Sequence, residues 1–181
     1  MKFYYSVILI MAALFMPAIS LQAQDAVLDE TDVQATYKAS YLFNFAKYSD
    51  WPENYKKGEF VIAVVGNAAV SKELQEKYKG KPIGSQSLVI KTISASDKTE
   101  GPVHILYISK AASKDLPLYI KNFKKLPTMI VCEQDGALES GAFINFRAVD
   151  SVLKFEVNDT KAKEVGVLIG DILKGWALNI K

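Results

Sequence analysis

The chain has one cysteine, one histidine and one arginine, and each scarcity removes a class of explanation. Cys132 has no second thiol to join, so an intramolecular disulfide is impossible in any redox compartment. It lies in the apolar run Thr128-Met-Ile-Val-Cys-Glu133, which reads as a buried strand and makes Cys132 a buried structural thiol. An intermolecular disulfide or a redox sensor is the alternative. His104 has no second histidine and no nearby cysteine, so a zinc or copper site of the usual kind cannot be assembled. It opens an apolar strand and reads as a core histidine. A Ser-His pair fails as well, because Ser109 lies five residues along the same strand and points to the opposite face. No catalytic constellation, metal site or cofactor motif emerges.

A strong charge of either sign is also missing. Lysine and arginine total 22 against 20 aspartates and glutamates, a formal charge of +2. Nucleic-acid readers usually lean on several arginines, and Arg147 stands alone, so neither nucleic acid nor a polyanionic substrate is indicated. What remains is globular: 50% of residues are hydrophobic, 23% are charged, and 181 residues suffice for one domain.

The longest apolar stretch is at the start. Met1-Lys2 is basic, Phe3 to Leu21 is almost wholly apolar, and Gln22-Ala23-Gln24 follows. That is the pattern of a secretory signal peptide over residues 1–23, with the cut after Ala23. A retained membrane anchor is the competing reading, since the stretch approaches the length of a bilayer span; Pro17 and the small-residue exit favour cleavage. No cysteine follows the apolar core, which excludes lipoprotein processing. Removal of Lys2 leaves 21 basic against 20 acidic groups, a charge of +1 over residues 24–181. The expected product is soluble and periplasmic, with no insertion in the membrane after cleavage.

Along that product, Thr31 and Gln34 have capping-box spacing, and Val33, Tyr37, Tyr41, Phe45 and Tyr48 recur at helical spacing up to Pro52. This helix is apolar around most of its girth and should pack on two sides. Phe60 to Gly66 is a continuous apolar run, the mark of a strand buried on both faces. A helix over 71–79, strands over 88–93 and 104–109, a helix over 116–123 and a strand over 128–133 follow. Residues 142–147 and 152–157 are two strands around Asp150-Ser151, an antiparallel hairpin. Asn158 or Asp159 should cap a last helix with Val165, Leu168, Ile169, Ile172, Leu173 and Trp176 on one face, and Gly166 and Gly170 on an adjoining stripe. The expected fold is a three-layer α/β sandwich with a mostly parallel sheet and a C-terminal antiparallel hairpin.

Ligand sites of such sheets gather at the C-terminal strand edge, which nominates a crevice near Gly66, Ser109 and Glu133 for a small ligand. Glu133 and Asp135 share strand parity and read as a solvated strand end, with a paired-carboxylate cation site as the alternative. Gly66-Asn67 leads into a helix whose N–H groups are of the kind that meet an anion, but the fuller glycine pattern of a phosphate loop is missing. Lys121, Lys124 and Lys125 read as a solvated helix face. Trp51 sits beside Tyr48, Pro52 and Tyr55, either as an exposed interface anchor or as a plug for the end of the first helix.

The run Lys38-Ala39-Ser-Tyr-Leu-Phe-Asn44-Phe45-Ala46-Lys47, with Trp51-Pro52 after it, resembles the opening signature of the YfiR family of periplasmic proteins. Val61 to Gly66, Gly80-Lys81 with Ile83-Gly84, residues 104–109, Gly141 with Ile144-Asn145-Phe146, and Phe155-Glu156-Val157-Asn158 match in order, so the likeness covers nearly all of the mature chain. The resemblance implies a non-catalytic regulator without a cofactor, which docks on the periplasmic domain of an inner-membrane sensor. In the family that sensor is a diguanylate cyclase, whose release raises cyclic di-GMP and adhesion, or in other relatives a histidine kinase. It also implies a homodimer. Asn44, Tyr48, Trp51 and Pro52 become the partner-binding residues that it suggests. One family feature is missing: relatives often carry cysteine before the histidine, where this chain has Val103, so their disulfide switch does not transfer.

Overall fold

A computed structural model describes residues 22–94, 97 and 101–181, with side chains from residue 33 onward. The leader expected over residues 1–23 lies, up to residue 21, outside the described residues. The chain divides into residues 1–31 and 32–181; the described part of the first, residues 22–31, is helical. Among the described residues no helix is long and apolar enough to cross a membrane.

Helix α1 (Gln22–Lys47) leads into the short strand β1 (Ser49–Asp50) and a 3-10 turn at Glu53–Tyr55. Then come β2 (Phe60–Val65), α2 (Ala68–Tyr78), β3 (Pro82–Ile83), β4 (Gln86–Thr92), β5 (Ile105–Ile108), a 3-10 segment Lys110–Asp115 and α3 (Leu116–Phe123). The remainder is β6 (Met129–Cys132), α4 (Ala137–Ser140), β7 (Ile144–Val149), β8 (Val152–Val157), α5 (Asp159–Glu164), β9 (Leu168–Ile169) and α6 (Asp171–Trp176). Seven strands form one sheet in the order β3-β4-β2-β5-β6-β7-β8. Strands β4, β2, β5, β6 and β7 are parallel, while β3 and β8 add antiparallel edges.

Period-two alternation distributes each strand between two cores. Phe60, Ile62 and Val64 of β2, with Tyr107 and Val131, join the core under α1 and α2. Val61, Ala63 and Val65, with Leu106, Ile130 and Cys132, join the core under α3 and Lys110–Asp115. Burial on both faces explains why these strands read as unbroken apolar runs, and the three-layer sandwich expected from the sequence is the fold observed.

Three expectations are corrected. First, α1 starts at Gln22, so Thr31 lies within the helix and its pairing with Gln34 is not the helix start. Burial of α1 is also one-sided at its start, since Val33 and Tyr37 are exposed whereas Leu42, Phe45 and Ala46 are fully buried. Second, α2 begins at Ala68 because the Asn67 side chain accepts the Val70 N–H at 2.9 Å, placing the cap earlier than Ser71.

Third, the long last helix does not exist. Asn158 caps α5 as expected, its Oδ1 accepting the Lys161 N–H at 2.9 Å. Gly166 then turns the chain at φ +79°, a left-handed conformation that ends a helix. Residues 168–169 become β9, paired antiparallel with β1 (Ser49 opposite Ile169, Asp50 opposite Leu168). A side chain at Gly170 would place Cβ 2.2 Å from the Tyr48 carbonyl, which the Gly170 N–H meets at 2.9 Å. The two glycines do permit close approach, but to the Tyr48–Pro52 segment instead of along a helix stripe. The apolar residues of 165–176 consequently divide: Val167, Ile169 and Leu173 are buried, and Leu168, Ile172 and Trp176 are exposed.

Candidate functional site

Helix α1 runs against the direction of the parallel strands, so its two ends mark the two edges of the sheet. Trp51, just past its C-terminus, hydrogen-bonds the carbonyl of Pro127 ahead of β6, whereas Lys38 meets Glu133 just after β6. The functional candidates fall into two groups accordingly.

At the edge where β2, β5 and β6 begin, the contacts are aromatic. Trp51 is 4% exposed; its indole stands edge-on to Phe60 with centroids 4.9 Å apart, and its Nε1 donates to the Pro127 carbonyl at 3.0 Å. His104 lies flat on Phe60 at 4.2 Å with Tyr55 edge-on to it. Its Nδ1 accepts the Val61 N–H at 3.1 Å and its Nε2 faces the Tyr55 carbonyl at 2.8 Å. Those two bonds together require the neutral ring with the proton on Nε2. Burial depresses its pKa, opposed by the hydrogen bond to the Tyr55 carbonyl. Both ring nitrogens are occupied in holding backbone, so the ring is a bracket between β2 and the 53–55 turn.

Trp51 therefore plugs the end of α1, and the accessible part of the nominated group is what surrounds it. Asn44, Tyr48 and Pro52 are half-buried. Tyr48 meets Trp176 edge-on with centroids 6.0 Å apart. Trp176 is 46% exposed, Ile172, one turn before it on α6, is 51% exposed, and Leu168 on β9 is 54% exposed. Sequence reasoning placed these three on the buried face of a helix, and only the break at Gly166 turns them outward. Large apolar and aromatic groups clustered on a surface are the composition of an interface core.

At the opposite edge the contacts are charged. Glu133 accepts from Lys38 Nζ at 2.8 Å through one oxygen and from the Tyr107 hydroxyl through the other. The Lys38 and Glu133 side chains are 14% and 13% exposed, so this pair is mostly desolvated. Tyr107 is fully buried, and burial first, then the Glu133 charge, pushes its hydroxyl well above the ordinary tyrosine value. Arg147 pairs with Asp135 on the surface. Asn145, buried in β7, accepts the Gln134 N–H at 3.1 Å and so fixes the loop that carries Glu133 and Asp135. Each carboxylate has its own cation, and among the described residues no group of three or more His, Cys, Asp or Glu comes together around a metal position.

Of the crevice residues nominated from sequence, Gly66 and Ser109 do lie together. The parallel strands run in the doubly wound order whose switch point falls between β2 and β5, where a crevice is expected. That point is filled. The Ser109 hydroxyl donates to the Gly66 carbonyl at 2.9 Å, and a Cβ at Gly66 would sit 2.7 Å from Ala112 Cβ. Glu133 is separate from them and lines a cavity of about 380 Å³ together with Lys38, Lys110, Arg147, Phe146 and Leu153. Cys132 is buried on the α3 side, and burial pushes its thiol up to about 12. Lys121, Lys124 and Lys125 are exposed on and after α3.

A family model described as YfiR/HmsC-like matches residues 35–173. The chain belongs to the YfiR/HmsC-like family. No curated protein matches it. The YfiR/HmsC-like family is regulatory and non-catalytic and acts with a membrane sensor. In this member the family signature from Lys38 to Pro52 spans the molecule, its first residue in the charged cavity and its last two at the aromatic edge. The Ile144-Asn145-Phe146 match places Asn145 under the Glu133 loop and Phe146 in the cavity wall. The pairing of Lys38 with Glu133, 95 residues apart, carries no local spacing signal and could not be read before the fold was known.

Proposed function

We propose that this protein is a non-catalytic regulator that is exported to the periplasm and docks on the periplasmic domain of a membrane-bound sensor, a diguanylate cyclase. The exposed apolar face of Leu168, Ile172 and Trp176, with the half-buried Tyr48 ring edge-on to Trp176, carries this reading. It borders the signature residues Asn44, Trp51 and Pro52, and Trp and Tyr anchors are the residues that dominate docking energetics. Trp51 contributes from beneath, by holding the Tyr48–Pro52 segment in place. Membership of a regulatory family supplies the class of activity, and the apolar leader of residues 3–21 supports export.

Deleting the gene and measuring cellular cyclic di-GMP tests the reading. The deletion should raise cyclic di-GMP several-fold, and the wild-type chain should restore it. Chains carrying Ile172→Ser with Trp176→Ser should be exported at the wild-type level but fail to restore it. Unchanged cyclic di-GMP in the deletion strain contradicts a cyclase partner. A histidine kinase, the second partner class that the family suggests, would then be recognised by its co-purification with the tagged chain.

A further inference from the structure

The cavity beyond β6 has a donor excess that its own residues do not consume. Lys38, Lys110 and Arg147 bring three positive charges against two negative charges on Glu133 and Asp135, a net of +1. Both oxygens of Glu133 are already engaged, by Tyr107 and Lys38. Asp135 is engaged by Arg147. An ammonium has three N–H donors and a guanidinium five. Among the described residues Lys38 uses its ammonium only on Glu133 and Arg147 meets only Asp135, while Lys110 has no partner. The Gln34 and Gln134 amides at the rim also make no side-chain hydrogen bond among the described residues.

The lining also has an apolar part, Phe146, Ala148 and Leu153. At about 380 Å³ the space is that of a small-molecule pocket, and it lies beyond the C-terminal ends of parallel strands, where α/β sheets accept ligands. Paired carboxylates, spare cationic donors and an apolar wall together select an anion with a hydrophobic body. We propose that this cavity binds a small organic carboxylate: its carboxylate meets Lys38, Lys110 and Arg147, and its apolar body lies against Phe146 and Leu153. An amine would bring a further positive charge to a cavity whose lining already carries a net +1. Inorganic phosphate has the charge but nothing to place on the apolar wall. The inference does not depend on the docking reading, because a chain that engages no sensor can still bind a carboxylate.

Titration calorimetry of the exported chain with acetate, 3-phenylpropionate, 2-phenylethylamine and inorganic phosphate tests it. The expected order is 3-phenylpropionate at least about tenfold tighter than acetate or phosphate, with no saturable heat from the amine. Lys110→Glu should weaken 3-phenylpropionate by about tenfold or more and leave the melting temperature of the ligand-free protein unchanged, since Lys110 holds nothing in the fold. Lys38→Met should weaken binding too, but it also strips Glu133 of its cation, so Lys110→Glu is the decisive variant. Any of four results overturns the proposal: no saturable binding of 3-phenylpropionate up to about 10 mM, phosphate bound as tightly as 3-phenylpropionate, the amine bound as tightly as the acid, or Lys110→Glu without effect on affinity.

Discussion

The two edges of the sheet are built on opposite principles. Where the strands begin, Trp51, Phe60, His104 and Tyr55 pack ring against ring, and the ring nitrogens serve the backbone: the indole N–H meets Pro127 and both imidazole nitrogens meet main chain. Where the strands end, Lys38, Glu133 and Tyr107 form a charged group that opens into a cavity, with donors left over. An edge whose rings are tied to main chain can present a preorganised face to another protein, and the cavity beside Trp51 and Phe60 is the smaller of the two described, about 190 Å³. An open edge with unspent donors is suited to a small ligand. α1 joins the two, carrying Lys38 at one edge and ending beside Trp51 at the other.

The largest effect should come from breaking the aromatic edge. Trp51→Ala removes the edge-on contact with Phe60, uncovers one side of His104 and leaves the Pro127 carbonyl without its donor. Denaturant unfolding should show a loss of about 3–5 kcal/mol; a loss under about 1 kcal/mol would mean that the indole is not part of the core. At the open edge the cost should be smaller. Glu133→Gln deprives a mostly desolvated Lys38 of its counter-charge, and about 2 kcal/mol is expected, less than for a fully buried pair because the cavity admits water. The double change Lys38→Met with Glu133→Gln should recover part of that loss, and additive losses in the cycle would show that the two groups do not interact.

The edges should also differ in pH response. Burial lowers the His104 pKa in the folded protein, so the unfolded chain takes up a proton first as pH falls. The ring's contribution is fully present above its unfolded value of 6.5 and declines as pH drops through that value toward the lower folded one. Wild-type stability should therefore fall between about pH 7 and pH 5, and His104→Gln should flatten that part of the profile; an equally steep profile in the variant would place the titrating group elsewhere. Asp159 titrates in a lower window. Burial opposes its ionisation, but Lys163 and Lys174 outweigh burial and hold its pKa below 3.8, so its contribution is lost only under stronger acid.

The smallest effect concerns Cys132. With the thiol buried and pushed up to about 12, alkylation at pH 7.5 should be negligible in the folded protein and rapid in urea. Prompt modification of the native chain would show that the second core opens.

The parts of the fold that were legible in the sequence are those set by local pattern. The unbroken apolar run of β2 announced a strand covered on both faces, α3 keeps the bounds 116–123 that its periodicity gave, and Asp150-Ser151 supplies the two positive-φ residues (49° and 61°) of the β7–β8 turn. What escaped depends on contacts between distant segments. Apolar residues at 165, 168, 169, 172, 173 and 176 are as consistent with a helix as with a broken segment, and only the approach of Gly170 to Tyr48 and of Gly166 to Pro52 decides between them. The crevice residues escaped for a related reason. Strand order locates the switch point between Gly66 and Ser109, but whether side chains fill it is a matter of packing, and here Ser109 and Ala112 do. At Trp51 the sequence left plug and anchor open, and the Pro127 carbonyl, 76 residues away, decides for the plug.

The contrast between the edges leads to one direct measurement: recovery of a membrane sensor on the tagged, exported chain, compared across wild type, Ile172→Ser with Trp176→Ser, and Lys110→Glu. The account predicts that wild type and Lys110→Glu retain a sensor equally, and that the double serine variant, folded to the same melting temperature, loses it by about tenfold or more, as expected when aromatic anchors are removed. Equal recovery with the serine variant, or loss with Lys110→Glu alone, would contradict the assignment of docking to the aromatic edge.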